Sequence, residues 1–338
     1  MNSFPPQFID ALHFLSSLSL KKISNYFRLL FAYFAGSRGW KFKVKTMPSG
    51  LSVEPTGFCN LKCPECPNGR GELTRKKGNM DFNLYQSVIE QASPYLVSII
   101  LYFQGEPFLC PSMLRMIRLA RKKNIYTITS TNGQCIDSPL ARKIVESGLD
   151  RIIVSVDGTT QEVYEQYRRG GSLEKALGAI SALSAWKKKL KSDRPFIVFQ
   201  FLVTAQNEHQ MQEAKKLAAS TGADKIEFKS LQVYDLNGSG KFLLPENERY
   251  SRYRKDGQGN YEIKKKMKNR CRRVSTTAVI TCEGNMVPCC FDKDGNHALG
   301  NVNENSVEAI WVGEKLNKFR QKILNDRCSI PICCNCTE

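Results

Sequence analysis

No stretch of about 18 apolar residues runs unbroken through this 338-residue chain, as a membrane-spanning helix would require. The most apolar segment, MNSFPPQFIDALHFLSSLSLKKISNYFRLLFAYFAG at residues 1–36, is interrupted by Asp10, Lys21, Lys22 and Arg28. It also lacks the basic start and the cleavage signature of a secretory signal. Both absences point to a soluble, cytoplasmic protein. What remains is an amphipathic pattern, read as a helical segment over 1–48 that packs on the main domain. The other reading is a basic face lying on a membrane surface.

Acidic residues are scarce beside basic ones: 32 Asp and Glu stand against 50 Lys and Arg, a formal charge of +18. Much of the excess sits in KKKLKSDR (187–194) and KKKMKNRCRR (264–273), in blocks without interleaved aromatics. No nucleic-acid recognition motif accompanies them, so nucleic acid is not expected as a partner. A solvated surface, or an anionic substrate or partner, accounts for the charge. There is no internal repeat beyond an alternation of strands and helices, and no long low-complexity tract.

Cysteine, by contrast, is plentiful. Thirteen residues cluster at 59–66 and 271–336, with only Cys110 and Cys135 between. Clustering of this kind in a chain of this size reads as metal ligation in a reducing compartment rather than a disulfide framework. Cys110 and Cys135 read as small apolar core residues.

β-rich runs at 51–56, 98–104, 126–131, 151–157, 196–204 and 225–233 alternate with helical patterns such as NLYQSVIEQA, SMLRMIRLARKKN, PLARKIVESG and SLEKALGAISALSAWKK. The order predicts an α/β fold, a parallel sheet or incomplete barrel with helices outside, whose chemistry gathers at the C-terminal ends of the strands. The conspicuous residues fall there: CNLKCPEC after the first strand, GEP after the second, TNG after the third and SVDG at the fourth. The core is assigned to 49–235, a Gly-rich charged linker to 236–270, and a second cysteine-rich region to 271–338.

Cys59, Cys63 and Cys66 supply three thiolates, one fewer than a zinc ion or an iron–sulfur cubane ordinarily takes. A zinc loop with a distant fourth ligand is one reading. CxxxCxxC after the first strand of a βα series resembles the radical S-adenosylmethionine (SAM) enzymes. That resemblance implies an incomplete (β/α)6 barrel and a [4Fe–4S] cluster on the three cysteines, with its open iron bound by SAM. QGEP resembles the family's GGEP motif, which implies SAM contacts for Gly105 and Glu106. SVDG resembles the strand-four motif and makes Ser155 and Asp157 candidates for the SAM ribose or carboxylate. Arg168 of YRRGGSLEKAL matches an arginine that pairs with the SAM carboxylate, and Asn132 of TNG faces the same site. Glu65 stands where an aromatic often precedes the last cysteine.

The C-terminal region resembles the SPASM extension found on a branch of these enzymes. Gly284 to Cys289 gives G-x-x-x-x-C, LGNV and SVEAIW follow, and Cys333 and Cys336 close with CxxC. A four-thiolate set suits zinc as well as iron–sulfur. The resemblance implies one auxiliary [4Fe–4S] cluster on Cys271, Cys289, Cys333 and Cys336, leaving Cys282, Cys290, Cys328 and Cys334 over. It further implies an enzyme that cleaves SAM to a 5′-deoxyadenosyl radical, fed by a low-potential flavodoxin or ferredoxin. That radical takes a hydrogen atom from a peptide or protein, which is oxidised or crosslinked. The alternative substrate is a carbinol in a sugar-like small molecule. A non-enzymatic iron–sulfur electron carrier is the reading of another class, but such a carrier has no use for Glu106 or Ser155.

Overall fold

The computed structural model describes residues 4–36, 46–234, 239–265 and 267–337. Two helices, α1 (Pro6–Ser16) and α2 (Leu20–Gly36), precede a sheet whose first six strands are parallel. These are β1 (Gly50–Val53), β2 (Ser98–Ile100), β3 (Tyr126–Thr131), β4 (Arg151–Ser155), β5 (Phe196–Val203) and β6 (Lys225–Ser230), paired in sequence order. Most end a few residues earlier than the sequence pattern predicts, where the chain turns into the motif-bearing loops. Ile99, Ile152, Val154, Ile197 and Phe199 are all fully buried, because helices cover one face and the barrel interior the other.

The covering helices are α3 (Phe82–Ala92), α4 (Met113–Lys122), α5 (Ser138–Glu146), α6 (Gln161–Tyr167), α7 (Leu173–Lys189) and α8 (Met211–Thr221). Local chemistry sets their ends. Asp81, Asp137, Thr160 and Ser172 each accept a hydrogen bond from a first-turn amide of α3, α5, α6 and α7. Helix α8 stops at Gly222, whose φ of +80° is left-handed and whose Cβ would lie 2.3 Å from Ser184 Oγ.

The segment expected as a linker carries a two-stranded hairpin, β7 (Tyr253–Lys255) with β8 (Tyr261–Ile263); its residues 236–238 and 266 lie outside the described ones. Tyr253 is buried there, and its hydroxyl donates to the Val233 carbonyl and to Asn335 Oδ1. The segment therefore ties the end of β6 to the terminal cysteines.

The C-terminal region joins the barrel's own sheet. After α9 (Arg272–Thr276), β9 (Thr277–Ile280) pairs parallel to β1, with Gly50 opposite Thr277 and Val53 opposite Ile280. Strands β10 (Asn285–Val287) and β11 (Gly300–Asn301) extend it antiparallel. Helices α10 (Val307–Trp311), α11 (Glu314–Asp326) and α12 (Pro331–Cys334) complete the region. The sheet has nine strands in the order β11-β10-β9-β1-β2-β3-β4-β5-β6.

Helices α1 and α2 pack on this body through buried Asp10, His13, Lys22 and Asn25 together with Leu29 and Ala35. Among the described residues no helix is long and apolar enough to cross a membrane.

One ion pair fixes the seam between barrel and extension. Glu54, directly after β1, takes both guanidinium nitrogens of Arg75, at 2.7 and 2.5 Å, and also accepts from the Cys282 amide. The two side chains are 0% and 6% exposed. Removing either partner leaves the other charge buried, so Glu54→Ala or Arg75→Ala is expected to cost about 3–5 kcal/mol. The double variant should cost less than the sum of the two. Urea unfolding of the cluster-free proteins measures both.

Candidate iron–sulfur and cosubstrate site

The first cysteine loop leaves β1 and folds over the mouth of the barrel. A turn brings the Cys66 amide to the Cys63 carbonyl (3.2 Å), and the next turn brings the Arg70 amide to the Cys66 carbonyl (2.9 Å). Asn68 is the brace: its side-chain amide donates to the carbonyls of Gly57 (2.9 Å) and Gln104 (2.7 Å), joining this loop to the one after β2. From the far side, the Lys62 amide donates to the Arg169 carbonyl at 3.1 Å. Three thiols are thus held on one loop, near enough for the charge on one to oppose ionisation of the next. Burial raises the pKa of Cys63, and Arg168, with Nη1 3.8 Å from its sulfur, works the other way. Three clustered sulfur donors beside a cation suit a cluster with one corner left for another ligand.

Gly105 lies against this loop so closely that a Cβ would sit 2.0 Å from the Thr56 carbonyl oxygen and 2.8 Å from that of Phe58. Its fitted role is to let the two loops touch. Glu106 is 2% exposed, and its amide donates to Phe58 O at 2.8 Å. One carboxylate oxygen accepts from the Thr131 hydroxyl (2.7 Å) and the Phe108 amide (3.2 Å), the other from the Asn132 amide (2.8 Å). Burial raises its pKa, while these donors and Arg168 favour the ionised form. The Asn132 side chain turns to Asn60 in the cysteine loop, donating to Oδ1 at 2.8 Å.

Ser155 is buried at the end of β4, and its hydroxyl has no hydrogen-bond partner among the described residues. Asp157 differs: Oδ2 holds Arg168 Nε at 2.5 Å and Oδ1 accepts from the Leu202 amide at 2.7 Å. Both its oxygens are engaged, so it aims Arg168. Glu65, also buried, accepts from the Tyr234 amide at 3.1 Å.

The second cysteine set assembles where α9, the end of β10 and α12 meet. Cys289, Cys333 and Cys336 are buried and Cys271 half-buried, and Cys289 and Cys333 each sense the charge of Cys271. Burial pushes the Cys333 thiol up to about 11. Arg327, 1% exposed, places Nη2 3.1 Å from Cys336 Sγ. The other cysteines stand apart. Cys282 lies behind the first loop beside Gly57 and Arg75, while Cys328 and Cys334 are exposed. Cys290 faces the barrel interior with Arg273 Nη1 3.1 Å from its sulfur. Cys110 is buried as expected, whereas Cys135 is half-buried and its sulfur accepts from Asn60.

Beside the second set a cavity of ≈ 650 Å³ runs along β1, β2 and β9, from Gly50 to Gln104. Cys289 and Cys290 form part of its wall, as do Arg252, Arg272, Arg273 and Lys293, and no carboxylate lines it. Gln104 Oε1 is buried there without a hydrogen-bond partner. Sequence reasoning missed these cations, Asn60, Asn68 and the Glu54–Arg75 pair. No local pattern marks any of them, since each acts on residues distant in the chain.

Three thiols at the mouth of a parallel (β/α)6 barrel, with four more in an extension of its sheet, define an iron–sulfur enzyme scaffold. The radical SAM superfamily pattern matches residues 53–218, and that of the SPASM iron–sulfur cluster-binding domain matches 271–337. The chain belongs to the radical SAM superfamily, in the branch that carries a SPASM domain, and is an enzyme using a [4Fe–4S] cluster and SAM.

It is 26% identical to the tungsten-containing aldehyde ferredoxin oxidoreductase cofactor-modifying protein of Pyrococcus furiosus, over 85% of this chain and 86% of that one. It is 30% identical to the PqqA peptide cyclase of Gluconobacter oxydans over 55% of this chain, a match spanning only half of the cyclase. In fold it resembles the crystal structure of BtrN in complex with AdoMet and 2-DOIA, with TM-score 0.56 and 23% identity over 87% of this chain and 95% of that one.

Gly105→Ala tests the loop contact. Because the methyl group has no room without moving the cysteine loop, the variant is expected to keep the auxiliary iron, about four of about eight atoms, and to lose the rest. Iron analysis after anaerobic reconstitution reads this directly. Full iron content in the variant would remove the steric argument.

Proposed function

We propose that this chain oxidises a small anionic molecule by radical SAM chemistry, in the cavity beside its second cysteine set. The cavity carries the reading: four cationic side chains line it, with no acidic one. Arg273 and Arg327 are each engaged by a cysteine sulfur, that of Cys290 and that of Cys336. Arg252, Arg272 and Lys293 form no ion pair with a described carboxylate, which leaves them to meet a phosphate or carboxylate on the substrate.

Cys59, Cys63 and Cys66 are assigned to the first cluster, and Cys271, Cys289, Cys333 and Cys336 to the auxiliary one. When bound, the first supplies the electron that releases a 5′-deoxyadenosyl radical from SAM, and the second an internal electron acceptor. The remaining work belongs to side chains. Glu106, fixed by Thr131 and the amides of Phe108 and Asn132, presents negative charge to the SAM ammonium. Arg168, aimed by Asp157, faces the SAM carboxylate. The free Ser155 hydroxyl meets the ribose, Asn132 keeps the mouth closed on Asn60, and the barrel wall excludes water.

Abstraction of a hydrogen atom from an H–C–OH carbon, followed by loss of one electron and one proton, gives a carbonyl. The Pyrococcus relative, matched over nearly its whole length, is named for modifying a cofactor, which supports a small substrate. A peptide substrate, favoured from the sequence, is the second reading and draws on the PqqA peptide cyclase match. A low-potential flavodoxin or ferredoxin is assigned as electron donor.

The test is anaerobic assay of reconstituted protein with SAM, reductant and cell-extract metabolites separated by anion exchange, scored by mass spectrometry. Substrate-dependent 5′-deoxyadenosine should follow the anionic small-molecule fractions, with a product two hydrogens lighter. Stimulation by neutral or peptide fractions alone would overturn the proposal. In the same assay, Cys333→Ala/Cys336→Ala protein should retain SAM cleavage and lose the oxidised product. Undiminished product from a folded variant lacking the second cluster would rule out the acceptor role.

A further inference from the structure

Among the described residues, fifteen large hydrophobic side chains are exposed, and ten of them lie between Phe4 and Phe34. Their spacing is regular. On α1, Phe8, Leu12 and Leu15 recur at helical intervals and are 46%, 45% and 57% exposed. On α2, Leu20, Ile23 and Phe27 are 86%, 36% and 64% exposed, and the stripe continues at half-exposed Phe31 and Phe34.

Four polar residues of the two helices, Asp10, His13, Lys22 and Asn25, point the other way, joined in the interior by Leu29 and Ala35 of α2. Asp10 bonds Tyr126 and Arg151 on β3 and β4, and His13 Nε2 lies 3.1 Å from Asp193. Lys22 Nζ donates to the carbonyls of Ser17 (2.9 Å) and Asn124 (2.6 Å). Asn25 exchanges hydrogen bonds with the backbone of Met47 at 2.8 and 3.0 Å. Burial lowers the pKa of Lys22 to about 8. The pair thus leaves much apolar surface to the outside. Polar bonds hold it on the barrel, and its apolar stripes face away from the core.

An apolar patch of this kind calls for an apolar counterpart, and the charge of the segment's sequence selects which. Residues 1–50 contain seven basic residues, Lys21, Lys22, Arg28, Arg38, Lys41, Lys43 and Lys45, and one acid, Asp10. That acid is already paired with Arg151. Exposed aromatic and aliphatic side chains on a helix that also exposes Lys21 and Arg28, in a segment of positive net charge, match the boundary between acyl chains and anionic headgroups. A second copy of this chain would bring the same positive charge to the contact.

We propose that the α1–α2 pair docks this enzyme in the plane of an anionic lipid surface. The inference is independent of the substrate assignment.

The experiment is co-sedimentation of the full chain with large unilamellar vesicles of phosphatidylcholine, with and without phosphatidylglycerol. Wild type should pellet with the anionic vesicles, bind neutral ones weakly, and be partly released by added salt. In Leu12→Glu/Phe27→Glu protein both changed residues are solvent-facing, so iron content and SAM cleavage should be unchanged. Vesicle binding should fall by roughly tenfold or more, since two apolar groups are lost and two repelled charges gained. Equal pelleting of wild type and variant, or none by wild type, overturns the proposal. So does a concentration-dependent dimer, seen by light scattering, that the double variant abolishes without any vesicle binding by wild type.

Discussion

The bidentate pair between Glu54 and Arg75 is the constraint on which the rest of the architecture turns. Glu54 sits between β1 and the first cysteine loop, and its carboxylate also takes the Cys282 amide. Arg75 returns to the C-terminal region through Nε, which donates to the Lys293 carbonyl, and its own amide donates to Asp294. A buried pair of this kind contributes little net stability, because desolvation offsets most of its attraction. Its value here is register. Parallel pairing of β9 with β1 could slip along the strand, and the pair, tied to the Cys282 amide just beyond β9, favours the alignment that sets Val53 opposite Ile280.

A second theme is the placement of buried or half-buried guanidinium groups on sulfur. Arg168 approaches Cys63, Arg273 approaches Cys290 and Arg327 approaches Cys336. A thiolate in a low-dielectric interior is costly by itself, and a fixed cation beside it lowers that cost. The same economy explains Asp157. By spending both oxygens on Arg168 and the Leu202 amide, it holds the guanidinium against the cysteine loop, where a free arginine would turn to solvent.

The β1–β6 core was legible because parallel strands buried on both faces read as continuous apolar runs, and because short loops keep each motif at its strand end. The four helices singled out were long enough to show their period. Helices α6 and α8 were not picked out, since α6 has seven residues and runs into YRRGG. The merging of the C-terminal region into the sheet could not be read, because the match of Gly50 with Thr277 is a property of two strands 227 positions apart. The cysteine triad was plain from its spacing. The cavity cations were hidden in what reads as surface charge: Arg272 and Arg273 belong to the basic block KKKMKNRCRR, and only the fold places them on the cavity wall.

The N-terminal helices show where periodicity stops being informative. An apolar stripe tells that a helix has two sides, and the usual inference sends the apolar one to the core. Here buried polar partners on the barrel reverse it. The reversal also gives α2 a second contact, because the Tyr26 hydroxyl meets the guanidinium of Arg272 in the cavity wall. One helix therefore carries an exposed apolar stripe on one side and contacts a cavity-wall cation on the other. A helix held at such a boundary resists rotation, since turning it would bury phenylalanine against polar groups and strip Lys22 and Asn25 of their partners. The polar bonds that fix the helix's rotation thus also fix where Tyr26 meets Arg272.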